Sequence, residues 1–456
     1  MNVEIVVSKG RRHEDGLAAI SVRVPDLGTE FDLDLPFKKL QERCGVPDYL
    51  TLDLLITASL CYVIDKVVPR SSAEDRWTRD LEVTFPVSAP EQWEGVARDF
   101  ETALRFLTGD TWQVSFRKHE AAFFWLVPMR RRRRRRLLIP RMGPATSVCL
   151  FSGGLDSLVG AIDLLAANEE ERVLLIGHYD VAGPRSQQND LFAEISRGYS
   201  RRAELLQTRV SHKPDAAPET SLRSRSLVFM ALGIYAARKF GDGVPLYAPE
   251  NGPIAINVPL TPSRAGSCST RTMHPYFLDR LGSVLAGLGF GNRIVNPLRL
   301  KTKGECVTEC LDRPLLETLF ETSVSCSHGT RRQNWVRRDA NNCGYCVPCM
   351  YRRAALHRAG LDDGRRYGVD VCAGELKVDD SGETADDLRA MLDSLRASRG
   401  VRDILREIRA VAHVNGAEEY AATVVRGADE VRAWVRDKGI PAVRRAAGIV
   451  KVPRES

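Results

Sequence analysis

The sequence predicts an α/β protein whose central part is a parallel sheet covered by helices, and three observations predict it. Beyond Ser147, short apolar segments alternate with helical ones of roughly 10–18 residues, the pattern of crossover units that join parallel strands. A glycine-bearing turn, Ser152-Gly153-Gly154-Leu155-Asp156-Ser157, falls between the first such strand and the first such helix. Three cysteines at two-residue spacing, Cys343, Cys346 and Cys349, close the region and read as a small metal knuckle.

The 456 residues suffice for two or three domains, and 43% hydrophobic content is ample for real cores. The net charge is +7, but seven positive charges lie in one run, Arg130–Arg136. The balance therefore does not by itself mark a nucleic-acid binder. The run reads as a solvated linker, with contact to RNA, DNA or another polyanion as the alternative. No apolar stretch approaches the roughly 18–20 residues that span a bilayer. Residues Met1–Gly16 lack a signal-peptide layout, so a cytoplasmic location and no membrane partner are expected. Eleven cysteines are spread unevenly, and in a reducing compartment a dense cluster is a metal site first.

Three regions separate by texture. Residues 1–143 carry alternating segments, Ala18–Val24 and Phe31–Leu35, a long apolar helix over Tyr49–Val68, strands at Asp80–Val87 and Trp112–Phe116, and a helix over 91–107. This is an α+β domain without a chemical motif. Residues 144–372 hold the alternating series: strands at Val148–Phe151, Arg172–Tyr179, Leu205–Val210, Val244–Ala248 and Arg293–Val295, and helices at Leu155–Ala167, Ser186–Tyr199, Leu222–Lys239 and Tyr276–Leu288. Residues 373–456 are helical, over Ala385–Ser398, Val401–Val414 and Ala417–Lys438, and read as a packing or partner module with no catalytic constellation.

The turn Ser152–Ser157 is the first chemical signal. Two glycines let successive N–H groups face a phosphate, and the following helix offers its positive end to the same anion. Ser152 and Ser157 add hydroxyl donors. Asp156 would be repelled by bare phosphate, so it works through Mg²⁺ or by orienting the loop. The Walker pattern is absent, because no lysine closes the turn. A plain turn with a helix cap is the bland alternative.

The second signal is Cys343, Cys346 and Cys349 with Cys326 upstream. Four thiolates close a tetrahedral zinc site, with Gly344 and Pro348 serving the turn, and closed sites hold structure. An iron–sulfur cluster or a redox dithiol remains an alternative, and His328 is a substitute ligand. Cys306 and Cys310, four apart on an expected helix, read as core residues.

Together, the SGGLDS turn and the CGYCVPC knuckle make residues 147–355 resemble the 7-cyano-7-deazaguanine synthases. These belong to the PP-loop (adenine nucleotide α-hydrolase-like) ATP pyrophosphatases. Arg225-Ser226-Leu227-Val228-Phe229 is similar to the family's Arg-Asn-x-x-Phe, with Ser226 in place of asparagine. Pro297-Leu298 followed by Lys303-Gly304-Glu305 is similar to its PL…KxE segment, and Arg352 follows the knuckle as in the family. The resemblance implies ATP and Mg²⁺ as cofactors, a structural Zn²⁺, and 7-carboxy-7-deazaguanine as substrate. Its carboxylate would be adenylated, then attacked by ammonia, and a second ATP would drive dehydration to the nitrile. Residues Ser152, Gly153, Gly154, Leu155, Asp156 and Ser157 would hold ATP. Arg225 and Lys303 would supply positive charge to phosphates or the substrate carboxylate, with a surface salt bridge as the alternative for each.

Several features depart from the family. Its members are usually about half this length, and the Cys326–Cys343 interval is longer here, filled by residues 329–342. The family's substrate segment is not clear. Pro249-Glu250-Asn251-Gly252 and Ser269–Pro275 stand in its place. Glu250 and Asn251 are candidate readers of a base edge or members of a polar turn. Arg271 is a candidate phosphate or carboxylate contact, and His274 starts a helix. The enlarged form resembles synthase-like proteins of antiphage operons, the Qat and type IV cyclic-oligonucleotide signalling systems. That likeness implies delivery of the activated deazaguanine to a partner protein from the same operon. A PP-loop RNA-modifying enzyme such as a tRNA thiolase, and a non-catalytic nucleotide-binding partner, are the rival expectations.

Overall fold

The computed structural model describes residues 1–12, 18–119, 142–179, 182–264, 271–329, 332–380 and 382–449. The run Arg130–Arg136, and Ser269 and Thr270 of the expected substrate segment, lie outside them. The fold is α/β, and no helix among the described residues is long and apolar enough to cross a membrane. The chain forms two compact units, each drawn from separate stretches of sequence. The first comprises Met1–Ser152, Ala167–Ala248 and Thr270–Asn296, and the second Gly153–Ala166, Pro249–Ser269 and Pro297–Ser456.

The first unit contains all the described strands. In chain order these are β1 (Asn2–Arg12), β2 (Ala18–Val24), β3 (Thr29–Asp34), β4 (Asp80–Val87), β5 (Thr111–Lys118), β6 (Ser147–Leu150), β7 (Val173–His178), β8 (Ala203–Thr208), β9 (Ser211–Lys213), β10 (Leu246–Tyr247) and β11 (Ile294–Val295). One sheet is mixed, in the order β5–β4–β1–β2–β3–β9, with β5, β4 and β1 parallel and the rest antiparallel. The other is wholly parallel, in the order β11–β10–β6–β7–β8. Every residue of β6 and β7 is buried, as strands covered on both faces must be. The first strand of the parallel series is central, two strands extend to each side, and the order reverses between β6 and β10. In doubly wound sheets ligands bind beyond the carboxyl ends of the strands at such a reversal.

Two expected helices differ from the structure for local reasons. Segment 91–107 is split into Pro90–Glu94 and Ala97–Thr108, because Gly95 ends the first helix and the Glu94 carboxylate is drawn to the Phe116 N–H, 3.0 Å away. The helix expected from Leu222 begins at Arg225, since the Asp65 carboxylate accepts the Ser221 and Ser224 hydroxyls and the Ser224 N–H. Asp65 is part of a buried ion network in which Arg70 and Arg79 both meet Asp110.

The second unit is helical. Its core joins Cys343, Tyr345 and Met350 of the knuckle region to Leu388, Met391, Val431 and Trp434 of the C-terminal helices Asp386–Ala397 and Ala417–Lys438. The helix expected to carry both Cys306 and Cys310 runs only over Lys303–Thr308, so Cys310 lies past its end; both thiols are buried.

Candidate functional site

The turn after β6 has the form its residues imply. Gly153 adopts φ +88°, a left-handed conformation that costs a side-chain-bearing residue strain. The Gly153 carbonyl accepts the Val324 N–H at 3.0 Å, and the Leu155 N–H, at the start of the helix Leu155–Ala167, donates to Ser325 Oγ at 3.1 Å. Ser157 Oγ donates back to the Gly154 carbonyl at 3.0 Å. Within the first unit, the Ser152 carbonyl accepts from the buried Gln188 amide at 3.2 Å.

In the first turn of that helix, Asp156 is 5% exposed and holds the centre of a polar cluster. Its Oδ1 accepts from Lys303 Nζ at 2.7 Å, and its Oδ2 from Asn251 Nδ2 at 2.7 Å. Glu250 adds a third hydrogen bond, from its carboxyl to Asp156. Burial alone would raise the Asp156 pKa, but the Lys303 charge and these donors outweigh it and hold it down to about 2. Burial and the neighbouring Asp156 charge push Glu250 the other way, well above the usual carboxylate range. The two carboxyls are thus pushed apart, Asp156 toward the charged form beside Lys303 and Glu250 toward the protonated one. Gly160 admits this arrangement: a Cβ there would sit 2.3 Å from the Pro249 ring, so the strand-end turn can lie directly on the helix.

Asn251 serves two masters, because its Oδ1 also accepts the Ile254 N–H at 3.2 Å and caps the helix Gly252–Ile256. Lys303 opens the helix Lys303–Thr308, whose N-cap is a capping box between Thr302 and Glu305. The salt bridge held open for Lys303 is present, to Asp156, but it is buried and not at the surface: the Lys303 side chain is 4% exposed.

The four cysteines expected to bind metal meet. The sulfurs of Cys326, Cys343, Cys346 and Cys349 all lie within 4.8 Å of one another, and Cys343 and Cys349 are 3.7 Å apart. A single tetrahedral ion roughly 2.3 Å from each sulfur sets the sulfurs ~3.8 Å apart, so the site can hold zinc. Backbone N–H groups face the sulfurs as they do around thiolates: Cys343 and His328 donate to Cys326, and Tyr345 and Cys346 donate to Cys343, at 3.3–3.4 Å. The Cys326 thiol is held far below its ordinary range, chiefly by hydrogen bonds from the other three cysteines. Gly344, at φ +89°, brings the knuckle within contact of the Val369 carbonyl, 2.1 Å from where a Cβ would be. His328 is not among the clustered ligands; its ring packs against Tyr345.

Arg225 and Arg271 belong to the first unit and have other partners there. Arg225 Nη2 donates to the His178 carbonyl at 3.2 Å, with Nε 3.3 Å from the same residue's ring. Arg271 stacks on Phe106, 4.6 Å from the ring centre, and donates to the Phe106 carbonyl at 3.1 Å. His274 caps the helix Pro275–Gly287, accepting the Tyr276 N–H at 3.2 Å; burial and then Arg271 lower it to about 3, which keeps that ring nitrogen an acceptor.

Three further residues enter the site unannounced: Ser325, Thr302 and Glu430. Only Thr302 had a local signal, the capping-box spacing to Glu305. Compared with known proteins, the chain matches no protein-family model and no curated protein.

Proposed function

We propose that this chain is a PP-loop ATP pyrophosphatase that adenylates the carboxylate of a deazaguanine-type substrate, 7-carboxy-7-deazaguanine, and passes the acyl group to an amine. The observation that carries this reading is Asp156, in the first turn of the helix after a glycine turn. Lys303, Asn251 and Glu250 fix it in place, and it follows the strand next to the reversal of the parallel sheet.

In this reading the substrate carboxylate oxygen attacks the α-phosphorus of ATP. The bond to the β-phosphate oxygen breaks, pyrophosphate leaves, and a mixed anhydride with AMP forms. An amine then attacks the acyl carbon, loses a proton, and expels AMP. The turn's N–H groups and the exposed Ser152 hydroxyl bind phosphate oxygens. Asp156 orients the loop, because both its oxygens are already engaged by Lys303 and Asn251; Mg²⁺, when bound, would supply charge neutralisation to the phosphates. Lys303 has three N–H donors and uses one on Asp156, so the others are available to charge that develops on the transferring group. Zinc holds the knuckle, and no cysteine acts chemically. The described cysteines outside the cluster are buried, and burial raises the pKa values of Cys306 and Cys310. This weighs against a thiolase. We take the acceptor to be a protein amine of a defence-operon partner, since an N-terminal amino group with a pKa of roughly 7.7–8.0 is partly unprotonated at neutral pH.

Supplying ATP, 7-carboxy-7-deazaguanine and either ammonia or a candidate acceptor protein tests the reading. Pyrophosphate and AMP should appear together and only with the carboxylate present. Background pyrophosphate with every carboxylate supplied would leave a non-catalytic nucleotide-binding protein.

A further inference from the structure

The C-terminal helix Ala417–Lys438 reads by sequence as a packing module, yet one of its residues reaches the Lys303 turn. Glu430 is 9% exposed. Its Oε1 accepts the Thr302 hydroxyl and, at 2.7 Å, Arg358 Nη1; its Oε2 accepts the Gly304 N–H at 3.0 Å. The residues on both sides of Lys303 are therefore bonded to one carboxylate from a helix about 130 positions away. A Cβ at Gly304 would lie 2.4 Å from Glu430 Oε1, so the approach depends on glycine at that position.

Two neighbours on the same helix brace the same segment. Thr423 Oγ1 and Arg426 Nη2 donate to the Leu300 carbonyl at 3.2 and 2.9 Å, and Arg426 also pairs with Glu305 at 2.8 Å. The same face of the helix also lies on the cap that Asn251 forms: a Cβ at Gly427 would be 2.8 Å from the Pro253 ring. The two chain turns that deliver Lys303 and Asn251 to Asp156 thus rest on one helix.

We propose that Glu430 is a positioning residue. It holds the 302–304 backbone so that the Lys303 ammonium stays in line with Asp156, and the C-terminal helix is thereby part of the site. A carboxylate buried beside three donors is not needed for packing alone, where an apolar side chain would serve as well. That Lys303 then acts on a nucleotide rests on the function proposed above; that Glu430 orders its backbone does not.

The test is amide hydrogen exchange over residues 302–308 in wild type, Glu430→Gln, Glu430→Ala and Arg426→Ala, with thermal unfolding on each. Glu430→Gln keeps a single acceptor oxygen and sets an amide donor in the other's place, so it cannot accept from both Gly304 N–H and the Thr302–Arg358 pair. It should speed exchange in this segment by about tenfold or more while the global transition stays near wild type. Glu430→Ala should do the same or more, and Arg426→Ala, which removes only an outer pair, about twofold or less. In carboxylate-dependent pyrophosphate release, Glu430→Gln should lower kcat by about tenfold or more and leave the KM for ATP nearly unchanged. Unaltered exchange in Glu430→Gln would overturn the proposal, whatever becomes of Glu430→Ala. Altered exchange with no activity in any protein, wild type included, would uphold the positioning role and count against the proposed reaction instead.

Discussion

Lys303 Nζ lies 2.7 Å from Asp156 Oδ1, and both side chains are almost wholly removed from solvent. A buried pair of this kind is held by its geometry, because each charge has lost its water and depends on the other in exchange, Asp156 with added support from Asn251. Truncating one partner strands the other. Lys303→Met and Asp156→Ala should each cost about 3–5 kcal/mol of stability. The double change should cost clearly less than the sum of the two. Urea unfolding of the four proteins checks this, and strict additivity would mean the pair is not formed.

The opposite shifts of Asp156 and Glu250 give the site two opposite pH limbs. Asp156 has its folded pKa lowered to about 2, so its contribution is full above the ordinary aspartate value and is lost as pH falls toward 2. Glu250 has its folded pKa raised, so its contribution is full below the ordinary glutamate value and is lost as pH rises through the raised one. Glu250→Gln keeps a donor for Asp156 and cannot ionise. Melting temperature should therefore fall less steeply with rising pH in this variant than in wild type, and keep the acid decline.

Metal removal should act on the whole second unit, because Cys343, Cys346 and Cys349 share a core with Trp434 and Val431. The purified protein should carry about one zinc per chain and show no iron–sulfur absorbance, and Cys346→Ser should lose the metal. A strong chelator should lower the melting temperature of wild type and leave that variant unchanged. Iron and a visible chromophore would replace zinc with a cluster.

Ser325 joins the two chemical motifs, accepting the Leu155 N–H one residue before the candidate ligand Cys326. Ser325→Ala should cost about 1 kcal/mol, keep its zinc, and weaken ATP binding a few-fold by loosening the start of the helix. Metal content and nucleotide titration on the same sample separate this from damage to the knuckle.

What could be read from the sequence was local. The helices Leu155–Ala167 and Ala417–Lys438 and the strand Asp80–Val87 run as their periodicity implies, and the four cysteines meet as their spacing implies. Strand β9, three residues long, has no period to detect, and β1 loses its alternation at a register shift between Val7 and Arg12. At the site, Glu250 and Asn251 stood out as polar residues after a strand, but nothing near them in the chain points to Asp156. Glu430 was invisible for the same reason: on its own helix it is one more charged residue, and only the fold brings it to Thr302 and Gly304.

The central claim is that the turn Ser152–Ser157 grips a nucleoside triphosphate, and calorimetric titration with a non-hydrolysable α,β-methylene ATP analogue and Mg²⁺ tests it most directly. One site per chain is predicted in the wild type. In Gly153→Val, where the φ of +88° resists a branched side chain, binding should be lost while zinc stays bound. A folded, zinc-loaded wild type that takes up no nucleotide, or a Gly153→Val protein that binds as well as wild type, would contradict the account.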